Sequence, residues 1–91
     1  MVKPVRFGSH AVKKFDELRR YKVFVTREQV EQTVRQPDRV EDGKKGRQVA
    51  TGRFTEHLVL RVIYRETEDA FEIVTFYPGR RSRYEDPIRQ G

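Results

Sequence analysis

The sequence has no cysteine, no tryptophan and one methionine, and its 35% of hydrophobic residues fall short of its 37% of charged ones. The lack of cysteine excludes a disulfide framework, a thiolate nucleophile and a thiolate zinc site. No apolar stretch approaches the roughly 20 residues of a membrane-spanning helix. Residues 1–10, MVKPVRFGSH, have no apolar core of the kind that marks a secretory signal. These absences predict a soluble, cytoplasmic protein with no membrane partner. There is no internal repeat, no glycine-rich phosphate loop and no nucleophile-elbow serine. Two histidines without a carboxylate cluster at ligand spacing give no metal site, and nothing calls for a cofactor.

Basic charge is what the chain does have. Twenty lysines and arginines against fourteen acids leave a net charge of +6 on 91 residues. That length predicts one domain over 1–91, with an ordered core of about 5–85 and a frayed tail at 86–91. So little apolar material supports one small core. The excess charge points to a polyanionic partner, nucleic acid first and an acidic protein second.

Residues 57–84 organise the rest: HLVLRVIYRETEDAFEIVTFYPGRRSRY. Alternation puts Leu58, Leu60, Val62 and Tyr64 on one face and Val59, Arg61, Ile63 and Arg65 on the other. In the next run the same count puts Phe71, Ile73, Thr75 and Tyr77 together, against Glu72, Val74 and Phe76. The polar turn at 66–69 joins the two runs as a hairpin at the sheet centre.

Upstream, residues 2–7 form a short edge strand at most, since Pro4 is unsuited to a central one. Ser9 is the expected N-cap of a helix over 10–20 that buries Ala11, Val12, Phe15 and Leu18. TREQ at 26–29 is a capping box, with Val25 and Val30 at hydrophobic-staple spacing. Pro37 ends that second helix at or before Gln36. A strand near 38–41 with Val40 inward, the turn DGKKG at 42–46 and a strand over 47–54 complete the order. The class is therefore α+β: two N-terminal helices on one face of a four-stranded antiparallel sheet, with the other face open and polar.

Metal-free RNA cleavage needs a group to move the 2′-hydroxyl proton, a cation for the phosphate and a donor for the leaving oxygen. His10 fits the proton-transfer role, or else ties the helix start to the sheet. Arg61 is a phosphate contact if its face is open, or the cross-strand partner of Glu72 if not. Glu72 is the second choice of base. Thr75 and Tyr77 either line the site or pack in the core. Arg80, Arg81 and Arg83, with Tyr84 to stack on a base, suit single-stranded RNA. Lys44, Lys45 and Arg47 form a weaker basic patch, and His57 reads as exposed.

FGSHA at the first helix, VTREQVEQTVRQP at the second, LRVIYR in a strand and the closing IVTFYPGRRSRY together resemble a bacterial family known as a domain of unknown function. That family is regarded as a relative of the RelE/ParE and BrnT toxins, in the barnase–EndoU–colicin–RelE group of metal-independent ribonucleases. The resemblance spans roughly residues 7–84 and rests on the order of its motifs. It implies a RelE-like fold and a toxin that cleaves RNA, in some relatives at the ribosome, with a small acidic antitoxin as partner. ParE-like relatives instead inhibit a protein target. The implied catalytic set is His10, Arg61, Arg81 and Tyr77, with Arg80, Arg83, Tyr84, Thr75 and Lys13 as RNA contacts. A non-catalytic RNA- or protein-binding module of the same fold is the alternative.

Overall fold

The computed structural model describes residues 3–84. Its elements run β1 (Val5–Phe7), α1 (Ser9–Arg20), α2 (Arg27–Arg35), β2 (Arg39–Asp42), β3 (Gln48–Arg53), β4 (Leu58–Glu66), β5 (Phe71–Arg80) and α3 (Arg81–Tyr84). The strands lie in the order β1-β5-β4-β3-β2. β2 to β5 form an antiparallel meander, and β1 joins β5 in parallel. The class is α+β as expected, but the sheet is five-stranded and mixed rather than four-stranded and antiparallel. The outer edge of β5 offers unpaired backbone groups, and the N-terminal segment takes them. Phe71 N–H donates to Pro4 O at 2.9 Å and Gly8 N–H to Ile73 O at 3.0 Å. Pro4 sits just before the strand, where its missing N–H leaves no gap in the ladder.

Both long helices cover one face of this sheet. α1 starts one residue earlier than expected, because Gly8 is its N-cap and no side chain caps it; Ser9 is already helical. Ala11 is fully buried and Phe15 and Leu18 pack on the core, whereas Val12 is 43% exposed. At about 100° per residue, position 12 has turned away from the stripe that 11, 15 and 18 define. The capping box of α2 forms: Gln29 N–H donates to Thr26 Oγ1 at 3.1 Å, and Thr26 N–H to Gln29 Oε1 at 2.9 Å. Val25 and Val30 on either side of it are both buried, and Gln36 is the C-cap just before Pro37.

Ala50, Leu60, Val62, Ile73 and Phe76 supply the sheet side of the core. Phe15 links the layers, with ring centroids 5.8 Å from Phe7 and 4.7 Å from Phe76. Val40 faces the same way, opposite Ala50, but stays 43% exposed because β2 is an edge strand beyond the cover of the helices. The turn between β2 and β3 closes as expected. Gly43 N–H donates to Arg47 O at 2.8 Å, and Lys45 and Gly46 take the left-handed conformation such turns demand.

A β-bulge decides which residues of β5 face where. Ile63 pairs with Thr75 but Tyr64 pairs with Ile73, so Val74 has no partner in β4. One extra residue reverses the alternation beyond it. Phe71 and Ile73 therefore face the helices while Thr75 and Tyr77 face away, and Phe76 turns into the core. The uninterrupted alternation expected for 71–77 is corrected accordingly. β5 also continues through Pro78 and Gly79 to Arg80 before α3 begins. No helix among the described residues is long and apolar enough to cross a membrane.

Candidate nucleic-acid site

The strand residues facing away from the helices follow from the register. They are Arg6; Arg39 and Glu41; Val49, Thr51 and Arg53; Val59, Arg61, Ile63 and Arg65; and Glu72, Thr75 and Tyr77. Five arginines thus share this far face with two glutamates and no lysine. Arginine presents a planar fork that fits phosphate oxygens and stacks on flat rings.

Arg39, Thr51, Arg61 and Tyr77 form one cross-strand row at the centre. The Arg61 side chain is only 11% exposed. Its Nε donates to Tyr77 Oη at 3.1 Å, and its Nη1 to Thr51 Oγ1 at 3.2 Å and Glu41 Oε1 at 3.4 Å. The guanidinium also lies 5.8 Å from the Tyr77 ring centroid. Arg61 lies on the face turned away from the helices, but the middle of that face is not open, since its neighbours Val59 and Thr51 are 0% and 3% exposed. Glu41 is one carboxylate partner of Arg61, whereas Glu72 stands opposite Arg65. Tyr77 lines this face and does not enter the core.

A second feature lies at the β1–β5 edge. A cleft of about 400 Å³ is lined by Arg6, Gly8, Ser9 and His10 on one side and by Arg65, Glu72 and Val74 on the other. Arg6, Glu72 and Arg65 form a single cross-strand row. The bulge leaves Val74 beside them as an apolar wall. None of Arg6, His10, Arg65 and Glu72 is engaged in an ion pair or side-chain hydrogen bond with another described residue. A His and a Glu that line one cleft with two guanidiniums are groups that can move protons and neutralise a phosphate.

The expected site residues therefore fall into three groups. His10 lines the edge cleft with Glu72. Arg61, Tyr77 and Thr75 occupy the middle of the far face, with Tyr77 five positions along β5 from Glu72, roughly 15 Å at strand spacing. Arg80, Arg81 and Arg83 lie past the other end. Arg81 N–H donates to His57 O at 2.9 Å and its Nη1 to Glu56 O at 3.1 Å, which fastens α3 to the turn before β4. Arg80 pairs with Leu58 and so belongs to the helix-side alternation. Lys13 is exposed on α1, in the helical layer, and His57 is exposed as expected. The side chain of Tyr84 and the tail at 85–91 lie outside the described residues.

Arg6, Arg65 and Glu41 were not among the expected site residues. Alternation already set Arg65 on the Arg61 face, and Arg6 stands between two inward residues, so both had a signal. Among the described residues no group of three or more His, Asp or Glu is arranged to hold a metal. On the opposite side of the sheet, burial, with a contribution from the Glu66 carboxylate, raises the Tyr64 phenol above its ordinary value of 10.0. Comparison with protein-family models, with curated proteins and with solved structures gave no match for this chain.

Proposed function

We propose that the protein is a toxin-like, metal-independent ribonuclease that binds single-stranded RNA along its arginine face and cleaves it in the edge cleft. The observation that carries this reading is the cleft itself, which His10 and Glu72 line together with Arg6 and Arg65, all four without a charge partner among the described residues. Glu72 takes the proton of a ribose 2′-hydroxyl, and the oxygen attacks the adjacent phosphorus. Arg6 and Arg65 balance the charge that builds on the phosphoryl oxygens. Protonated His10 gives its proton to the departing 5′-oxygen. The P–O5′ bond breaks, leaving a 2′,3′-cyclic phosphate and a free 5′-hydroxyl. Cleavage is thus reassigned from the Arg61–Tyr77 row, whose guanidinium is already held by three neighbours. A small acidic protein that covers the same arginines is the fitting inhibitor.

The test is incubation of purified protein with RNA in EDTA, alongside His10→Ala and Glu72→Gln. Wild type should cut, leaving cyclic-phosphate ends. Each folded variant should lose about a hundredfold or more in rate. Undiminished cutting by both variants sinks the cleft assignment. A second reading, RNA binding without cleavage, is favoured by the spread of arginines well beyond the cleft. It predicts salt-sensitive binding and intact RNA, both with free RNA and with translating ribosomes.

A further inference from the structure

Arg27, the first residue of α2, rests its guanidinium on two rings. The Cζ atom lies 4.8 Å from the Phe7 ring centroid and 5.7 Å from that of Phe15. The rings are inclined at 50° to one another, and the cation lies across both. Phe7 is also part of the lining of the edge cleft. Arg27 itself is exposed, and no hydrogen bond or ion pair joins its side chain to another described residue. Glu31, one turn along α2, stands where an exposed arginine commonly finds a carboxylate, yet the two do not pair. The rings thus steady the cation and leave its N–H fork without an acceptor among the described residues. An arginine already held in place has less rotamer freedom to lose when it meets an anion.

We infer that Arg27 is a further RNA contact, for the phosphodiester next to the one cut in the cleft. A strand that leaves the cleft past Phe7 reaches the guanidinium lying 4.8 Å from that ring. The fork binds the phosphate oxygens edge-on while its flat face stays on Phe7, so one residue ties the bound strand to the cleft wall. This rests on the reading that the cleft cleaves RNA. It carries the RNA path from the far face of the sheet around the β1 edge to the helical layer.

Affinity for a short fluorescein-labelled 2′-O-methyl RNA, which has no 2′-hydroxyl to attack, tests the inference by anisotropy over a range of salt concentrations. Arg27→Gln should bind about fivefold more weakly than wild type, and its plot of log affinity against log salt should be shallower by about 0.7, the share of one phosphate on a single strand. Arg20→Gln, which removes the same charge from an exposed position at the end of α1, should lose less than about twofold and keep the wild-type slope. If Arg27→Gln melts well below wild type, Arg27→Met replaces it with the same expectation, since its unbranched chain still covers the two rings. A purely structural role for Arg27 would lower affinity at an unchanged slope. That result, or equal losses from Arg27→Gln and Arg20→Gln, overturns the contact and leaves the cleft standing, provided cutting still depends on His10 and Glu72. Absence of RNA binding by wild type overturns both.

Discussion

Arg61 and Tyr77 are direct partners across β4 and β5, and the Arg61 Nε–H donates to the Tyr77 phenolic oxygen at 3.1 Å. The hydroxyl is therefore an acceptor for a part-buried cation, not a solvated tip. Tyr77→Phe keeps the ring but removes that acceptor. It should cost about 1.5 kcal/mol, the scale of a hydrogen bond to a charged group. A urea titration should show a lower midpoint at an unchanged slope. A midpoint equal to wild type would mean that the bond contributes nothing net.

Val74 is the residue on which the facing of β5 depends. Deleting it, with no other change, removes the unpaired residue and restores unbroken alternation, with Ile73 and Phe76 still inward and Thr75 and Tyr77 still outward. Phe76 keeps its place opposite Val62, and the loss is the packing of one half-buried valine, about 1 kcal/mol. The deletion variant should therefore still melt cooperatively by circular dichroism. Val74→Ala keeps the register and should still melt cooperatively. A deletion variant with no cooperative transition would refute the bulge, since in an unbulged strand losing one residue reverses the facing of all that follow.

The Tyr64 phenol is raised above 10.0 in the folded state, through burial first and the Glu66 carboxylate second. Below pH 10 both folded and unfolded chains hold the proton, so this group adds no pH dependence. Between the unfolded value and the raised folded one, only the unfolded chain releases it. Stability from this group is therefore complete below about pH 10 and is lost as pH rises through the folded value. Tyr64→Phe should lose less stability than wild type between pH 9 and 11, measured as the difference in melting temperature. Parallel losses in the two proteins would remove Tyr64 as a source of alkaline sensitivity.

Local chemistry was legible in the sequence where one short segment settles it. The Thr26–Gln29 box, the stop at Pro37 and the DGKKG turn depend on neighbours within a few positions, and each formed as its residues dictate. The facing of β4 was equally plain, since no residue interrupts it. Two features were not readable because they depend on distant partners. β1 pairs across sixty-six positions, Val5 with Phe71, and three residues carry no signal for such a partner. The bulge at Val74 is set by how β5 must sit on both β4 and the core, and valine fits either parity. That one slip altered the candidate site: Tyr77 belongs with Arg61, and Glu72 belongs to a different row. Helix phase misled once, at Val12, where an apolar residue stands one step off the buried stripe.

The edge cleft is a seam between the two ends of the chain. One wall comes from residues 6–10 and the other from 65–74, and backbone bonds from Gly8 to Ile73 and from Phe71 to Pro4 hold it closed. During synthesis the first wall leaves the ribosome long before the second exists. A chain that ends before residue 65 lacks the second wall and so cannot carry an assembled cleft. The seam also rests on a strand of only three residues. Parting β1 from β5 would dismantle the cleft while leaving the antiparallel meander in place, so the cleft's integrity hangs on Val5–Phe7 alone.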